Sequence, residues 1–464
     1  MSEYSMEQIN RGIAAKREAW LRELSLLVAQ KSVSGTGEGV EECAALFVRS
    51  LEAAGITARV IYPGDDSGAF PFVVGETKDA PENAPTVLVY GHYDTQPEGD
   101  LSLWDSPPYE PQIRNGRMYG RGISDNKCQI FFYIKAIELC RELTGSLPCR
   151  VKFIFEGSEE IGSPGLHAFL RSHRELLRAD ICLNSDGAIH ESCRPTLKLG
   201  TKGMYAPTLS VTCANREVHS MHGPTVPSAA WRMIAFLHSL KELTTGRVLI
   251  DGFYDDVLPP TREELATLSS MPNDGETTLR ELGLSHFAPG PHGDDYNYNF
   301  VFEPSCNINS LNSGYTGPGE NNVVPNKARV RLDFRLVPNQ TPEDIHEKLK
   351  AHLQAHGFTD FAFENDGIVG RPYRLSVENP YVRVIVDALR ESFGAEPIVY
   401  PNGGGSGPLK LFAEALDIDI LILPLCAADQ CEHAPNENMK LSDFDNGIRA
   451  AATMLLRLGE RRQA

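Results

Sequence analysis

The stretch TVLVYGHYD, Thr86 to Asp94, carries an apolar run into a glycine and then at once presents an imidazole and a carboxylate. A short apolar run without polar alternation reads as a strand buried on both faces, the kind that parallel sheets use. Upstream, Val40, Ala44, Phe47, Val48, Leu51 and Ala54 keep one helical face apolar until Gly55 stops it. Downstream, β-rich runs recur at Val151 to Phe155, Ile181 to Leu183, Ile398 to Tyr400 and Ile418 to Leu425. Helical patterns separate them, around Ile130 to Leu143 and, after the N-cap candidate Ser442, through Ile448 to Leu458. Such alternation predicts an α/β fold, a mostly parallel sheet covered by helices on both faces.

The middle of the chain reads differently. Ala206 to Thr212 is a predicted strand, Ser228 to Leu240 an amphipathic helix, Arg329 to Leu336 an alternating strand, Thr341 to Ala355 a helix and Phe358 to Phe363 a strand. That order suits a smaller α+β domain inserted into the larger one. The expected boundaries are 1–200 and 376–464 for the two parts of the larger domain and 201–375 for the insert. Residues 241 to 305 are rich in Gly, Pro, Asp and Asn and read as a long excursion with only local helix, such as Thr261 to Leu268.

Composition narrows the class of function. With 44 Lys and Arg against 62 Asp and Glu, the net charge of −18 argues against a nucleic-acid partner. No stretch approaches the ~20 consecutive apolar residues of a membrane span, and the polar start lacks a signal-peptide core, so a cytoplasmic protein is expected. The ten cysteines are scattered, several inside apolar runs, and read as reduced core thiols rather than a zinc framework. Metal ligands, if present, are therefore histidine and carboxylate.

Ligand sites of α/β sheets lie at the carboxyl ends of the strands. His92 and Asp94 stand at the first such end, two residues apart, where Asp94 can accept the free ring N–H of His92 and fix its tautomer. In GRMYGRGISDNKCQ, Asp125 precedes a helix; it reads either as an N-cap or as a carboxylate bridging two cations, and Gly120 and Gly122 favour the close approach that bridging needs. In VKFIFEGSEEIG, Glu159 and Glu160 follow another strand, so that one can coordinate a metal while the other handles the attacking water. Asp186 in ADICLNSDG and His433 in CEHAPNE complete a hard-to-borderline set suited to Zn2+ or Mn2+, with His190 as a rival imidazole.

These segments, in order, resemble the co-catalytic metallopeptidases that include carnosinase and the cytosolic non-specific dipeptidases, carboxypeptidase G, succinyl-diaminopimelate desuccinylase and acetylornithine deacetylase. The resemblance rests on GHYDTQP with Trp104 and Pro107, YGRGISDNK, EGSEEIGS, NSDG, VHSMHG, DFRLVP, GGGSGP and HAPNE. The long insert and DFRLVP look most like the carnosinase and dipeptidase branch. The resemblance implies that His92 and Asp186 bind one metal, Glu160 and His433 the other, and that Asp125 bridges them through a cis Asp125–Asn126 peptide. It makes Glu159 the general base and Asp94 the orienter of His92. It implies two divalent ions per subunit, Zn2+ first, with Mn2+ or Co2+ as the other candidates. It further implies that the larger domain is catalytic and the insert a lid and dimerisation domain, joining a homodimer in which His219 reaches the partner's active site and stabilises the oxyanion.

The same resemblance makes Arg335 the clamp for a substrate carboxylate, with Gly404, Gly405 and Ser406 lining its pocket and Asn322 a polar lid residue. Read from the strand alone, Arg335 is a salt-bridge partner on an alternating surface. Cys128 and Met221 stand where relatives carry glycine, and His222 competes with His219. The expected activity is therefore hydrolysis of the amide bond of dipeptides or short peptides bearing a free carboxylate, with no nucleic-acid or membrane partner. The rivals are an N-acyl-amino-acid amidohydrolase on the same scaffold and a non-catalytic binding protein. No acceptor for a substrate ammonium is evident in the sequence.

Overall fold

A computed structural model describes residues 4–64, 67–293 and 295–460. The chain divides into two compact units: Met1–Leu199 with Leu375–Val399 and Leu411–Ala464, and Gly200–Arg374 with Tyr400–Lys410.

The larger unit is organised by an eight-stranded sheet ordered Thr57–Ile61, Phe72–Glu76, Arg150–Glu156, Thr86–His92, Ile181–Asn184, Ile420–Ile422, Thr196–Lys198 and Ile398–Tyr400. Thr86–His92 is buried at every position, which is why its sequence shows no alternation. It pairs in parallel with Arg150–Glu156 on one side and Ile181–Asn184 on the other, and the latter pairs in parallel with Ile420–Ile422. Four consecutive strands thus point their carboxyl ends to one edge, with His92 opposite Glu156 and Tyr90 opposite Asn184. Thr57–Ile61, Phe72–Glu76 and the contact of Ile422 with Lys198 add antiparallel pairings outside this centre, which the apolar runs did not disclose. The helix Cys128–Thr144 packs on Thr86–His92 and is covered in turn by Met6–Ala29 and Leu441–Glu460. Ser442, expected to cap this last helix, lies inside its first turn, because the helix starts at Leu441 directly after the strand Asn438–Lys440.

The smaller unit has a sheet in which Lys327–Leu336 is central, pairing with Thr208–Thr212, Gly203–Tyr205 and Ser305–Ser313, all antiparallel. Helices Ala229–Leu240 and Pro342–Ala355 bury Met233, Phe236, Ile345 and Leu349 against Val330, Leu332 and Phe334. The excursion at 241–305 holds only local helix, as expected: Arg262–Ser270, over the predicted Thr261 to Leu268, and also Gly275–Glu281 and Tyr296–Phe302. Two of them start on side-chain caps: Thr261 with Glu264 in a capping box, and Asp295 accepting from Tyr298 N. Caps rather than apolar periodicity set these helices, so periodicity underestimates them. All ten cysteines are free thiols; Cys128 and Cys426 bury their sulfurs 3.3 Å apart beneath the carboxyl edge, so Cys128 packs in the core.

Candidate metal centre and active site

The parallel strands deliver their polar residues to one place. His92, the last residue of its strand, sets Nε2 2.9 Å from Asp125 Oδ1, while His433 Nε2 lies 2.9 Å from Asp125 Oδ2. Each oxygen of Asp125 therefore meets a different imidazole, the disposition a bridging carboxylate needs. His433 Nε2 is also 3.1 Å from Glu160 Oε2, which Gln96 Nε2 holds at 3.0 Å. Two overlapping triads able to grip a cation result: His92, Asp125 and Glu160, and Asp125, Glu432 and His433.

The backbone explains how Asp125 arrives there. Gly91 lets Asn126 close in, since a Cβ at Gly91 would lie 2.2 Å from Ile130 Cγ2 and 2.6 Å from Asn126 Oδ1. Asn126, after a cis peptide, then donates to Asp186 Oδ1 at 3.2 Å and to Ser185 O at 2.6 Å. Gly122 has φ +78° and would meet Thr95 Cγ2 at 2.2 Å if it carried a Cβ. Buried Glu437 of the HAPNE segment ties the turn down: its Oε2 accepts from Gly122 N and Arg121 Nη1, both at 2.8 Å, and its Oε1 from Ser124 N at 3.0 Å and Asp125 N at 3.2 Å. Asp125 is thus no simple N-cap. Glu437 gave no sequence signal because its partners lie over 300 residues away.

Asp94 does more than touch His92. His92 Nδ1 is 3.1 Å from the backbone oxygen of Asp94 and 3.4 Å from its Oδ1. The same carboxylate accepts from Glu159 N at 3.2 Å and from Glu160 N at 3.1 Å, fixing the turn that carries both glutamates. Asp186 accepts from Gly187 N at 2.8 Å and influences His92 and Asp125 electrostatically, but belongs to neither tight triad. His190 Nδ1 sits 2.7 Å from Ser192 Oγ in its own turn, outside both triads. Glu432, absent from the sequence reading, joins one of them.

Crowded carboxylates dominate the electrostatics. Burial pushes Glu159 up to about 8, against the charge of His92 and with help from Asp186 and Glu156. Burial and then Asp125 raise Asp186 to about 6 and Glu432 to about 7. Asp125 and Glu160 raise His433 to about 10 by hydrogen bonding. Burial disfavours charge on both His92 and Asp125, but their mutual contact, with Asp94 and His433, raises the imidazole and lowers the carboxyl. Acids pushed up and imidazoles pushed up together mark a site short of positive charge. Divalent cations with oxygen and nitrogen preference fit that donor set.

In the smaller unit, Asp333 holds Arg335 through Nε at 2.9 Å and Nη2 at 3.2 Å, so the salt bridge read from the alternating strand is present. Arg335 Nη1 donates to Ser406 Oγ at 3.0 Å, Lys202 N donates to Gly405 O at 2.9 Å, and a Cβ at Gly404 would strike Phe300. The structure therefore brings Arg335, Gly404, Gly405 and Ser406 together. His219 is exposed on Val218–His219, which pairs with Val323–Val324; Ser220 N donates to Asn322 O at 2.8 Å. His219 Nδ1 accepts from Met221 N at 3.1 Å, and His222 is exposed beside it.

Two imidazoles and several carboxylates at the carboxyl edge of parallel strands define a class, the metal-dependent hydrolases of α/β fold. Residues 88–457 match the model of peptidase family M20/M25/M40, and the chain belongs to that family, an enzyme of the metallopeptidase type. It is 32% identical to the M20 family metallo-carboxypeptidase Sso-CP2 from Sulfolobus solfataricus, with a TM-score of 0.85 over 95% of this chain and 99% of that one. It is 27% identical over 399 residues to the Beta-Ala-His dipeptidase of Rattus norvegicus, covering 84% of this chain and 80% of the relative. It is 27% identical over 401 residues to the Cys-Gly metallodipeptidase of Schizosaccharomyces pombe, covering 84% and 83%. No helix among the described residues is long and apolar enough to cross a membrane.

Proposed function

We propose that the chain is a dinuclear metal-dependent dipeptidase that cleaves the amide bond of dipeptides or short peptides with a free carboxylate. The observation that carries this reading is Asp125, whose two oxygens each face a separate imidazole. His92 and Asp186 would hold one divalent ion, Glu160 and His433 the other, and Asp125 both. When bound, such a pair supplies Lewis acidity at the scissile carbonyl and an acidified water. Zn2+, with Mn2+ or Co2+ as alternatives, suits the donors.

Glu159, free of the triads, takes the proton of the attacking water and passes it to the leaving amine, and Asp94 keeps it aimed through its backbone N–H. Arg335, oriented by Asp333, turns Nη1 and the Ser406 hydroxyl toward the substrate carboxylate, with Gly404 and Gly405 beside them and Asn322 at the lid. His219 of the partner subunit stabilises the oxyanion in a cytoplasmic homodimer joined through the lid unit. Exposed Trp231 and Ile234 on Ala229–Leu240 and Ile308 and Leu311 on Ser305–Ser313 support an interface there. The names of the relatives, two dipeptidases and a carboxypeptidase, support a substrate with a free carboxylate.

The test is a panel of dipeptides, β-alanyl dipeptides, their C-terminal amides and N-acyl amino acids, assayed with Zn2+ or Mn2+. Free dipeptides should lead, and amidation should cost most of the rate in wild type and little in Arg335→Met. Preference for N-acyl amino acids would replace this reading by the amidohydrolase one.

A further inference from the structure

The proposed reaction leaves one question at the amine end of the substrate, where the sequence offered no partner. Glu432 stands at that gap. One of its carboxylate oxygens, an Asp125 oxygen and a His433 ring nitrogen all lie within 4.8 Å of one another. Gln430, itself 3% exposed, donates from Nε2 to Glu432 Oε2 at 2.7 Å and so aims the carboxylate. Gln430 is fixed in turn by Asn438 N, which donates to its backbone oxygen at 2.8 Å.

Burial separates Glu432 from the ligand carboxylates. Glu160 has a side chain only 5% exposed and already faces His433, as expected of a residue sealed around a cation. Glu432, like His433, is an exposed residue whose carboxylate is only partly desolvated, so an incoming molecule can reach it. Among the described residues it forms no salt bridge, although Lys198 senses its charge together with that of Asp186. An acid held in place, accessible and without an ion-pair partner is an acceptor for a cation brought from outside.

The reach is right for one particular cation. In an α-aminoacyl group the nitrogen is two bonds, about 2.5 Å, from the scissile carbonyl carbon. A charge-assisted N–H···O contact adds about 2.8 Å. A carbonyl polarised beside Asp125 and His433 thus brings its α-ammonium near a carboxylate that lies within 4.8 Å of both groups.

We propose that Glu432 accepts the free ammonium of the substrate's first residue and thereby selects unblocked peptides over N-acyl amino acids. The inference rests on the dipeptidase reading and deepens it. It makes Glu432 a specificity residue, not a metal ligand.

The test compares a dipeptide with its N-acetyl derivative on wild type, Glu432→Gln and Glu432→Asp, with metal content measured on each protein. Equilibrium binding of the amino-terminal product, free and N-acetylated, gives a readout independent of turnover. Glu432→Gln should lower kcat/KM for the free dipeptide about 10- to 100-fold, chiefly through KM, and weaken binding of the free amino acid by a similar factor. The N-acetyl compounds should lose less than about threefold, the metal content should stay at the wild-type value, and Glu432→Asp should recover part of the preference for the free amine. Equal losses on free and acetylated compounds would overturn the inference, as would loss of metal from Glu432→Gln, which would make it a ligand. A wild type that does not hydrolyse free dipeptides would instead strike the dipeptidase reading itself, a result distinct from either.

Discussion

The candidate metal centre in the larger unit and the short strand pair of Val218–His219 with Val323–Val324 in the smaller one carry residues assigned to one reaction, yet they are built in opposite ways. At the centre nearly every group is held from several sides: Asp94 by two backbone N–H groups, Asn126 by Asp186 and Ser185, and the Asp125 turn by the buried Glu437. The strand pair is only two residues long, and His219, Asn322 and Met221 are all exposed. A cluster of like charges needs its geometry fixed before any ion arrives, because uncompensated carboxylates repel. A group proposed to act only after a partner subunit docks needs accessibility instead.

The largest effect expected from breaking the centre is at the paired glutamates. Glu159→Gln should keep both metals and lose ~10²-fold or more in kcat, whereas Glu160→Gln should release metal. Metal analysis of the purified variants decides between the roles, and equal metal loss in both would erase the division. One layer out, Glu437→Ala should weaken metal affinity by about 10- to 100-fold, since it frees the turn that aims Asp125. Competition with a chelator measures this; unchanged affinity would mean that the turn holds its form without Glu437.

The strand pair that carries His219 is probed by mixing. Glu159→Ala and His219→Ala chains, each nearly inactive, are exchanged into mixed dimers. If lids serve opposite sites, one site of a mixed dimer regains both residues, and with about half the dimers mixed, activity should recover to roughly a quarter of wild type. No recovery despite proven exchange would put His219 in its own subunit's chemistry or outside catalysis, and His222→Ala would follow.

The smallest effect is electrostatic and lies in the candidate metal centre. Glu159 is raised from 4.5 to about 8, so between those values it is protonated in the fold and ionised in the unfolded chain. His433, raised from 6.5 to about 10, stays protonated only in the fold above 6.5. Both contributions are present at low pH and are lost as pH rises through the folded values. The melting temperature of the metal-free protein should therefore fall by several degrees between pH 5 and 9, and added metal should flatten the fall. A metal-free melting temperature that rises over this range would contradict the charge deficit.

The strand ends were legible because a strand buried on both faces leaves a continuous apolar run, and Thr86–His92 and Arg150–Glu156 each run straight into their polar residues. Of the short helices of the excursion, the one after Thr261 was legible, but Tyr296–Phe302 was not, because the Asp295 cap starts it locally without an apolar stripe. Among site residues, His92, Asp125, Glu160 and His433 were visible by type and position, whereas Glu432 looked like any solvated acid next to a histidine.

By itself, then, the sequence determined the kind of chemistry: the supply of imidazoles and carboxylates at strand ends, and a scaffold able to gather them, because both follow from local pattern and from the rule that parallel strands share one carboxyl edge. Only the tertiary structure decided which of those groups face one another. That Asp125 turns one oxygen to each imidazole, that Glu437 fastens its turn, that Arg335 meets Ser406 and that Glu432 lies beside Asp125 and His433 are distances between groups brought together mostly from far apart in the chain or set by how its loops turn. Side chains of one type are chemically alike in sequence, and packing alone sets one facing an imidazole, makes another a brace and leaves a third exposed.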